Sequence, residues 1–370
     1  DGEHESLVAE GFSASVAPAL EDRDIDALDR VRPRERRFEL IMRNEALETH
    51  VVRYVHLLAA KRPDGGRVFA TGDGTFWSSR EVLAPERAIA PEGDCTRLLA
   101  ERDGEERSST ADSVDLATRE TIDLDFPAPS SQRTGVVIAA RQSLLSTYVF
   151  YQSLAWMGSS AGTVLAALER GDPSVRSRAG AVARTLGGIE VLAQDRSGAW
   201  KPAGTLVETG PLATDVKIVP LPELDPGPVR IRLRMTRGLW RLDQVGLASI
   251  DARVDPIRLA PIRVLRSGTP DREALASLDH PGRALVTMRG DEYQIEFRLP
   301  QDFDRCELFL ESRGYYLEWM RDEWLAEEDP RKALQLFVDP ARSLRDMAPA
   351  FKKVEPEMES LFWGSRYAHP

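Results

Sequence analysis

Carboxylates, histidines, cysteines and clustered aromatic residues are the side chains of this chain with the chemistry to act on a substrate or ligand. The sequence holds 60 Asp and Glu, 5 His and 2 Cys. Paired carboxylates perform glycoside hydrolysis, one donating a proton while the other attacks or activates water. Acidic residues abound here, but their separation is set in three dimensions, so a carboxylate-dependent hydrolase stays open. His4, His50, His56, His280 and His369 include no HExxH pattern and no paired Cys neighbours. Ordinary core or surface histidine is therefore preferred to a metal site. No GxSxG, Walker A or GxGxxG stands at a strand–helix junction, and "GDGTFW" is too short to cradle a phosphate. "MRGDEY" contains an RGD tripeptide on an expected hairpin and reads as a turn. Catalytic residues, cofactor sites and metal ligands are accordingly assigned nowhere.

The aromatics are more informative. "ESRGYYLEWMRDEWLAEEDP" places Tyr315, Tyr316, Trp319 and Trp324 close together. On a helix beginning near Tyr315, Leu317, Met320 and Trp324 share one stripe while Trp319 falls on the other side. The stripe reads as packing, and Trp319, if exposed, as a contact residue. Trp200, Trp240 and Asp243 are the candidates for sugar stacking and polar contact, against core Trp and edge charge. Cys95 and Cys306 fit no metal spacing, which leaves either a disulfide across a very long loop or two buried thiols.

Elements must position these residues. The expected fold is mainly β with helical insertions: jelly-roll-like β-sandwich domains, a central helical hairpin and a helical C-terminal segment. Residues 1–30 read as an irregular acidic segment, with Asp22, Asp24, Asp26 and Asp29 among arginines. They lack the Gly and closing Glu of a calcium loop, so a solvated segment is preferred. Residues 31–141 read as a β-rich domain, from alternation in "RRFELIMRNE" and "TRETIDLDFP". Residues 142–172 read as a helical hairpin. Its uncharged run over 142–168 is the one candidate membrane span, with Gly158 and Gly162 in a GxxxG, but its Gln, Ser and Thr content and the break at "GSSAG" favour two buried helices, with Ser159 or Ser160 capping the second.

Residues 173–265 read as a jelly-roll-like β-sandwich. In "VRIRLRMT", Val229, Ile231, Leu233 and Met235 point one way and Arg230, Arg232 and Arg234 the other, a half-buried strand with a basic outer face. Residues 266–370 read as a β-hairpin region followed by C-terminal helices. Asp329–Pro330 and Asp339–Pro340 pair an N-cap with a proline at the first helical position.

Two stretches, "RRFELIMRNEALETHVVRYVHLLA" and "RALVTMRGDEYQIEFRLPQDFDRCELFLESRGYY", resemble β-rich regions of large bacterial secreted proteins. Some of these carry FG-GAP propellers or tetratricopeptide repeats, with regions of the ASPIC/UnbV type. The sequence shows no propeller calcium loop and no tetratricopeptide-length repeat. The resemblance implies an extracytoplasmic β-rich protein, in the periplasm, at the cell surface or secreted, and carries no catalytic residue across.

Composition sets the remaining bounds. Hydrophobic residues at 42% and charged residues at 29% belong to an ordinary globular chain, and 370 residues exceed one compact core. A net charge of −11 opposes a broad nucleic-acid surface. The chain opens "DGEHESLVAEG", the kind of start that removal of a leader leaves and that a fragment shares. The reading reached from sequence is a non-catalytic interaction or structural protein, a surface, filament or complex subunit working with protein partners or by self-assembly. The alternatives are a carbohydrate-binding β-sandwich protein and a carboxylate-dependent glycoside hydrolase.

Overall fold

The computed structural model describes residues 6–366 apart from 29, 32–34, 174, 176–177, 179, 208–209, 224–225, 281 and 304, with side chains given up to 362. His4, Asp29 and His369 lie outside the described residues. The strands form four antiparallel-rich sheets. The first has the order β1 (Asp22–Ala27), β21 (Cys306–Glu318), β3 (Glu48–Lys61) and β16 (Ile257–Leu259), with β19 (Leu285–Thr287) also on β3. The second runs β18 (Thr269–Pro270), β17 (Arg263–Arg266), β20 (Glu292–Arg298), β2 (Arg37–Arg43).

The third sheet runs β10 (Thr134–Gln142), β13 (Asp215–Pro220), β4 (Arg67–Ala70), β5 (Phe76–Leu83), β15 (Trp240–Val254), β8 (Arg107–Ser108). Because β10 also pairs with β15, five of its strands close a ring. The fourth runs β12 (Trp200–Leu206), β11 (Ile189–Gln194), β14 (Val229–Thr236), β9 (Arg119–Phe126), β6 (Arg87–Ala90), β7 (Gly93–Asp94).

Side-chain alternation stacks these sheets. Along β10, Val136, Ile138 and Ala140 join a core with Ile122 and Leu124 of β9 and Ile231 and Leu233 of β14. The intervening Val137 and Ala139 instead meet Val68, Ile218, Ile250 and, from the first sheet, Leu58 and Phe309. The other face of the first sheet packs Val55, Leu57 and Leu310 on Phe38, Ile295 and Phe297 of the second. A strand buried on both faces reads as a continuous apolar run, which is why "TGVVIAARQ" has no alternation.

On the open face of the fourth sheet, the arginines of β14 form an ion-pair ladder. Arg230 bonds Asp125 at 2.8 Å, Arg232 grips Asp123 at 2.6 and 2.7 Å, and Arg234 meets Glu190. The register puts Arg232 opposite Asp123 and Arg230 opposite Asp125, so the basic face is neutralised by its neighbour.

Helices fill the flanks: α1 (Thr96–Ala100), α2 (Leu145–Met157), α3 (Ala161–Glu169), α4 (Ala181–Leu186), α5 (Arg272–Asp279), α6 (Asp322–Ala326), α7 (Pro330–Val338) and α8 (Pro340–Arg366). The helical hairpin expected at 142–172 is α2 and α3. Its break sits at Gly158, whose φ of 48° a residue with a Cβ adopts at a cost. Ser160 precedes α3 but caps nothing; its hydroxyl turns back to the Met157 carbonyl. Glu328 receives the Ser159 amide instead, at 2.8 Å. No helix among the described residues is long and apolar enough to cross a membrane. Both Asp–Pro helix starts form as expected: Asp329 accepts from the amides of Arg331 and Lys332, and Asp339 from that of Arg342.

Three local expectations change. The acidic N-terminal segment contains β1, and Asp26 is 5% exposed rather than solvated. It sits with Asp24 and Asp215 around the buried Lys217, and burial raises its carboxyl well above the usual range. The RGD tripeptide is a turn between strands of different sheets, with Asp291 accepting from Arg266 and from the Met288 amide. And the sequence segments do not each close their own sheet. Strands from 31–141 pair with strands from 173–265 (β9 with β14, β10 with β15) and from 266–370 (β2 with β20, β3 with β21).

Candidate functional site

The long β3–β21 ladder decides the aromatic stretch. Residues 306–318 form one strand, so Tyr315, Tyr316 and Leu317 are extended, and the helix expected from Tyr315 shrinks to α6. Pairing with the 14 residues of β3 outweighs the local helical pattern. Consequently Leu317, Met320 and Trp324 share no stripe. Tyr315 lies beneath the Arg53 guanidinium, 5.6 Å from its ring centre. Trp319 is 40% exposed and donates its indole N–H to Thr49 at 2.9 Å. Trp324 is buried on α6 against Tyr151, 5.0 Å between ring centres.

Alternate residues of β21, among them Leu310, Ser312, Tyr316 and Glu318, line a cavity of about 2040 Å3. Its remaining walls come from the N-terminal stretch 6–16, from β2, from Glu48 and His50 of β3, and from α2, α3 and α4. The helical walls are apolar, with Phe150, Leu154, Met157, Leu165, Leu168 and Val182 facing the space.

Polar groups collect at the end of the ladder. The register sets Glu318 opposite Glu48 and Tyr316 opposite His50. Like charges directly opposite on a sheet repel, and the relief is a shared proton. Burial first, then Glu48, push the Glu318 carboxyl up to about 7. Arg321 approaches Glu318 at 3.3 Å while its guanidinium lies over Tyr151 (4.7 Å) and Trp324 (4.3 Å). His50 meets Glu48 at 2.6 Å. Tyr316 donates to the Ser13 carbonyl at 3.2 Å, and burial together with Glu48, Glu318 and Glu10 raises its hydroxyl well above the ordinary value.

A coupled pair of this kind can hold or release one proton near neutrality. Its carboxyls project from directly opposed positions of adjacent strands, with Arg321 beside Glu318 and His50 beside Glu48.

The other sequence candidates are scattered. Trp200 lies on β12 beneath the Arg232 guanidinium at 4.3 Å, Trp240 is 1% exposed in the core, and Asp243 is buried where it accepts from the Gly104 amide at 2.9 Å. No exposed pair of coplanar tryptophans arises from them. Cys95 and Cys306 are not joined by a disulfide; Cys95 lies in the core beneath the fourth sheet and Cys306 against the core between the first and second. Elsewhere His56 faces Glu311 at 3.3 Å, and His280 follows the C-terminus of α5. Among the described residues no cluster of His, Cys, Asp and Glu can hold a metal ion.

Glu48, Glu318, His50 and Tyr151 went unremarked as site residues in the sequence. The available signal was the strand period: Tyr316 and Glu318, two apart, share a face, as do Glu48 and His50. What joins the two pairs is a contact across roughly 270 residues of chain, the separation of Glu48 from Glu318.

No protein family matches the chain, and no curated protein matches it. Among solved structures, dimeric latent PorU from Porphyromonas gingivalis is similar at 10% identity over 74% of this chain, with a TM-score of 0.17. The match spans 31% of that chain. A likeness of this size carries no argument about fold or function.

Proposed function

We propose that the protein acts by binding rather than catalysis, as an extracytoplasmic interaction protein whose cavity receives an apolar segment of a partner polypeptide. The cavity itself carries this reading. Sites for small ligands span about 300 to 1,000 Å3; this one is about 2040 Å3. A helix about 10 to 12 Å wide, rising 1.5 Å per residue, would fill that volume with roughly 12 to 17 residues. Apolar helical walls facing a sheet face form a groove of the kind that holds an amphipathic segment. The carboxyl pair at one end gives that segment a polar anchor and a fixed register. Trp200, Trp240 and Asp243, the candidates for sugar contact, are not brought together: Trp200 lies under Arg232, Trp240 is in the core and Asp243 is buried on the Gly104 amide.

The test uses Gly162, which lines the cavity and where an added Cβ meets nothing within 4 Å. Gly162→Trp sets an indole at an exposed position on the groove's lining that has room for its Cβ. Wild-type protein, gently extracted from its own source, is expected to carry a stoichiometric partner and to brighten an apolar fluorescent dye. The variant is expected to melt at the same temperature, lose the partner and lose most of the dye signal. A clean wild-type monomer, or a partner retained in full by Gly162→Trp, refutes the proposal.

A further inference from the structure

We infer that the open half of the first sheet's outer face is a docking surface for an anionic lipid bilayer, meeting the headgroups with arginines and the boundary of the acyl chains with Val286, Met288 and Trp319. This surface is independent of what the cavity holds. Strand alternation defines it. Ser312, Tyr316 and Glu318 line the cavity, so Glu311, Arg313 and Tyr315 turn to the other side of β21. At one end of that face Ile25, Leu58 and Phe309 pack against the third sheet. Toward the other end, register sets Val286 and Tyr315 on either side of Val51. There Val286 and Met288 are 51% and 48% exposed. Trp319 stands beside them: Thr49 receives its indole N–H and itself reaches the Met288 sulfur at 3.3 Å. Neighbouring exposed apolar side chains with a polar rim mark a contact with protein or membrane.

The rim identifies the partner, because it is basic on a chain of net charge −11. Register sets Arg23 directly opposite Arg313, a like-charge pair that a sheet disfavours. Two carboxylates serve four guanidiniums here. Arg23 and Arg258 meet the same oxygen of Glu311, at 2.5 and 2.6 Å, while Arg53 and Arg313 meet Glu21 at 3.0 and 2.7 Å. Each trio therefore carries one uncompensated positive charge. Glu311 stays ionised through the neutral range, since His56, Arg23 and Arg258 hold its carboxyl down to about 2 against its burial. The carboxylates lie beneath, at 0% and 10% side-chain exposure, and the arginines keep 38% to 54%. Negative charge faces inward and positive charge outward.

That arrangement leaves guanidinium donors free on the outer side, in the fork geometry that suits phosphate oxygens. Arg53 is steadied over the Tyr315 ring at 5.6 Å, which ties the basic rim to the apolar end. Arginines at headgroup level beside tryptophan and aliphatic side chains make an interfacial anchor. A soluble polyanion would use the arginines and leave Val286 and Met288 in water. The rest of this acidic chain is repelled by the same membrane, so the patch also fixes orientation.

Co-sedimentation with vesicles of phosphatidylcholine alone, or of three parts phosphatidylcholine to one of phosphatidylglycerol, tests this in about 0.1 M salt. Each uncompensated charge near the surface is worth about fivefold, so wild type should prefer the anionic vesicles by about thirtyfold. The preference should shrink several-fold in about 0.5 M salt. Arg258→Gln/Arg313→Gln removes the excess charge and leaves each carboxylate one arginine; its preference should fall to within about twofold. Met288→Glu, at an exposed position, should lose binding to the anionic vesicles by about tenfold with an unchanged melting temperature. Glycerol phosphate at the same phosphate concentration should displace almost none of the protein. Equal binding to both vesicles, or anionic binding that survives Met288→Glu, overturns the inference. Full displacement by glycerol phosphate overturns it in favour of a free-phosphate site. Failure to sediment with either vesicle also overturns it and leaves the cavity reading standing.

Discussion

Replacing Glu318 by Gln isolates the cost of burying the carboxyl pair. In the folded protein the Glu318 carboxyl is pushed from 4.5 to about 7, chiefly by burial and then by Glu48. Unfolded chain ionises it near 4.5, so between these values the folded state binds the extra proton. Stability from this group is complete below pH 4.5 and is lost as pH rises through about 7. A shift of this size corresponds to at most about 3 kcal/mol. Glutamine cannot ionise and keeps a donor for Glu48. The variant should therefore match wild type at pH 4.5 and exceed it by up to about 3 kcal/mol at pH 8. For 370 residues that is a rise in melting temperature of about 4 °C. Thermal melts of both proteins at half-unit steps from pH 4.5 to 8.5 read this directly. A variant less stable than wild type at pH 8, or a difference that does not change with pH, would show that the pair is not held near a shared proton.

Two further outcomes are expected. Glu311, at 0% side-chain exposure, is gripped by Arg23 at 2.5 Å, Arg258 at 2.6 Å and His56 at 3.3 Å, and its carboxyl is held down to about 2. Here the stability is present above pH 4.5 and lost as pH falls through about 2, so Glu311→Gln should cost about 2 kcal/mol at pH 7 in urea titrations and almost nothing near pH 2. That is less than the shift alone gives, because Arg23 and Arg258 reach into solvent; equal loss at both pH values would contradict it. In thiol labelling, denatured protein should titrate 2 thiols, and the native protein should label Cys306 first. Cys95 should lag because burial pushes its thiol up to about 11; a denatured count of zero would show a disulfide.

Alternation along the chain was enough to read the β-rich class, the helical hairpin, the Asp–Pro helix starts and the two-faced strand 229–236. Each is a local property. The apolar period states which side chains must be buried together, and a capping pair satisfies amides within one turn. Val229, Ile231, Leu233 and Met235 are buried for the reason their spacing announces, and Asp329 and Asp339 cap the helices they precede. Partner choice lies beyond that signal. Arg232 does not reveal that it will meet Asp123, nor Asp26 that it will lie beside Lys217. The aromatic stretch shows the difference most plainly. Its helical stripe and its strand period were both legible, and the 13 residues of β21 adopted the strand because β3 offered a full ladder of hydrogen bonds and a core on each face.

The candidate site belongs wholly to this second kind. Glu48 and Glu318 are ordinary surface residues by type, Glu48 beside Thr49 and His50 and Glu318 between Leu317 and Trp319. Tertiary pairing alone sets them opposite one another, withdraws them from water beneath α2 and turns two unremarkable acids into one proton-sharing pair. Sequence determined which segments would be strands and helices, because burial period and capping are written within a few residues. Only the tertiary structure decided what those strands bring together, because the energy of a cross-strand pair depends on residues that the chain itself keeps far apart.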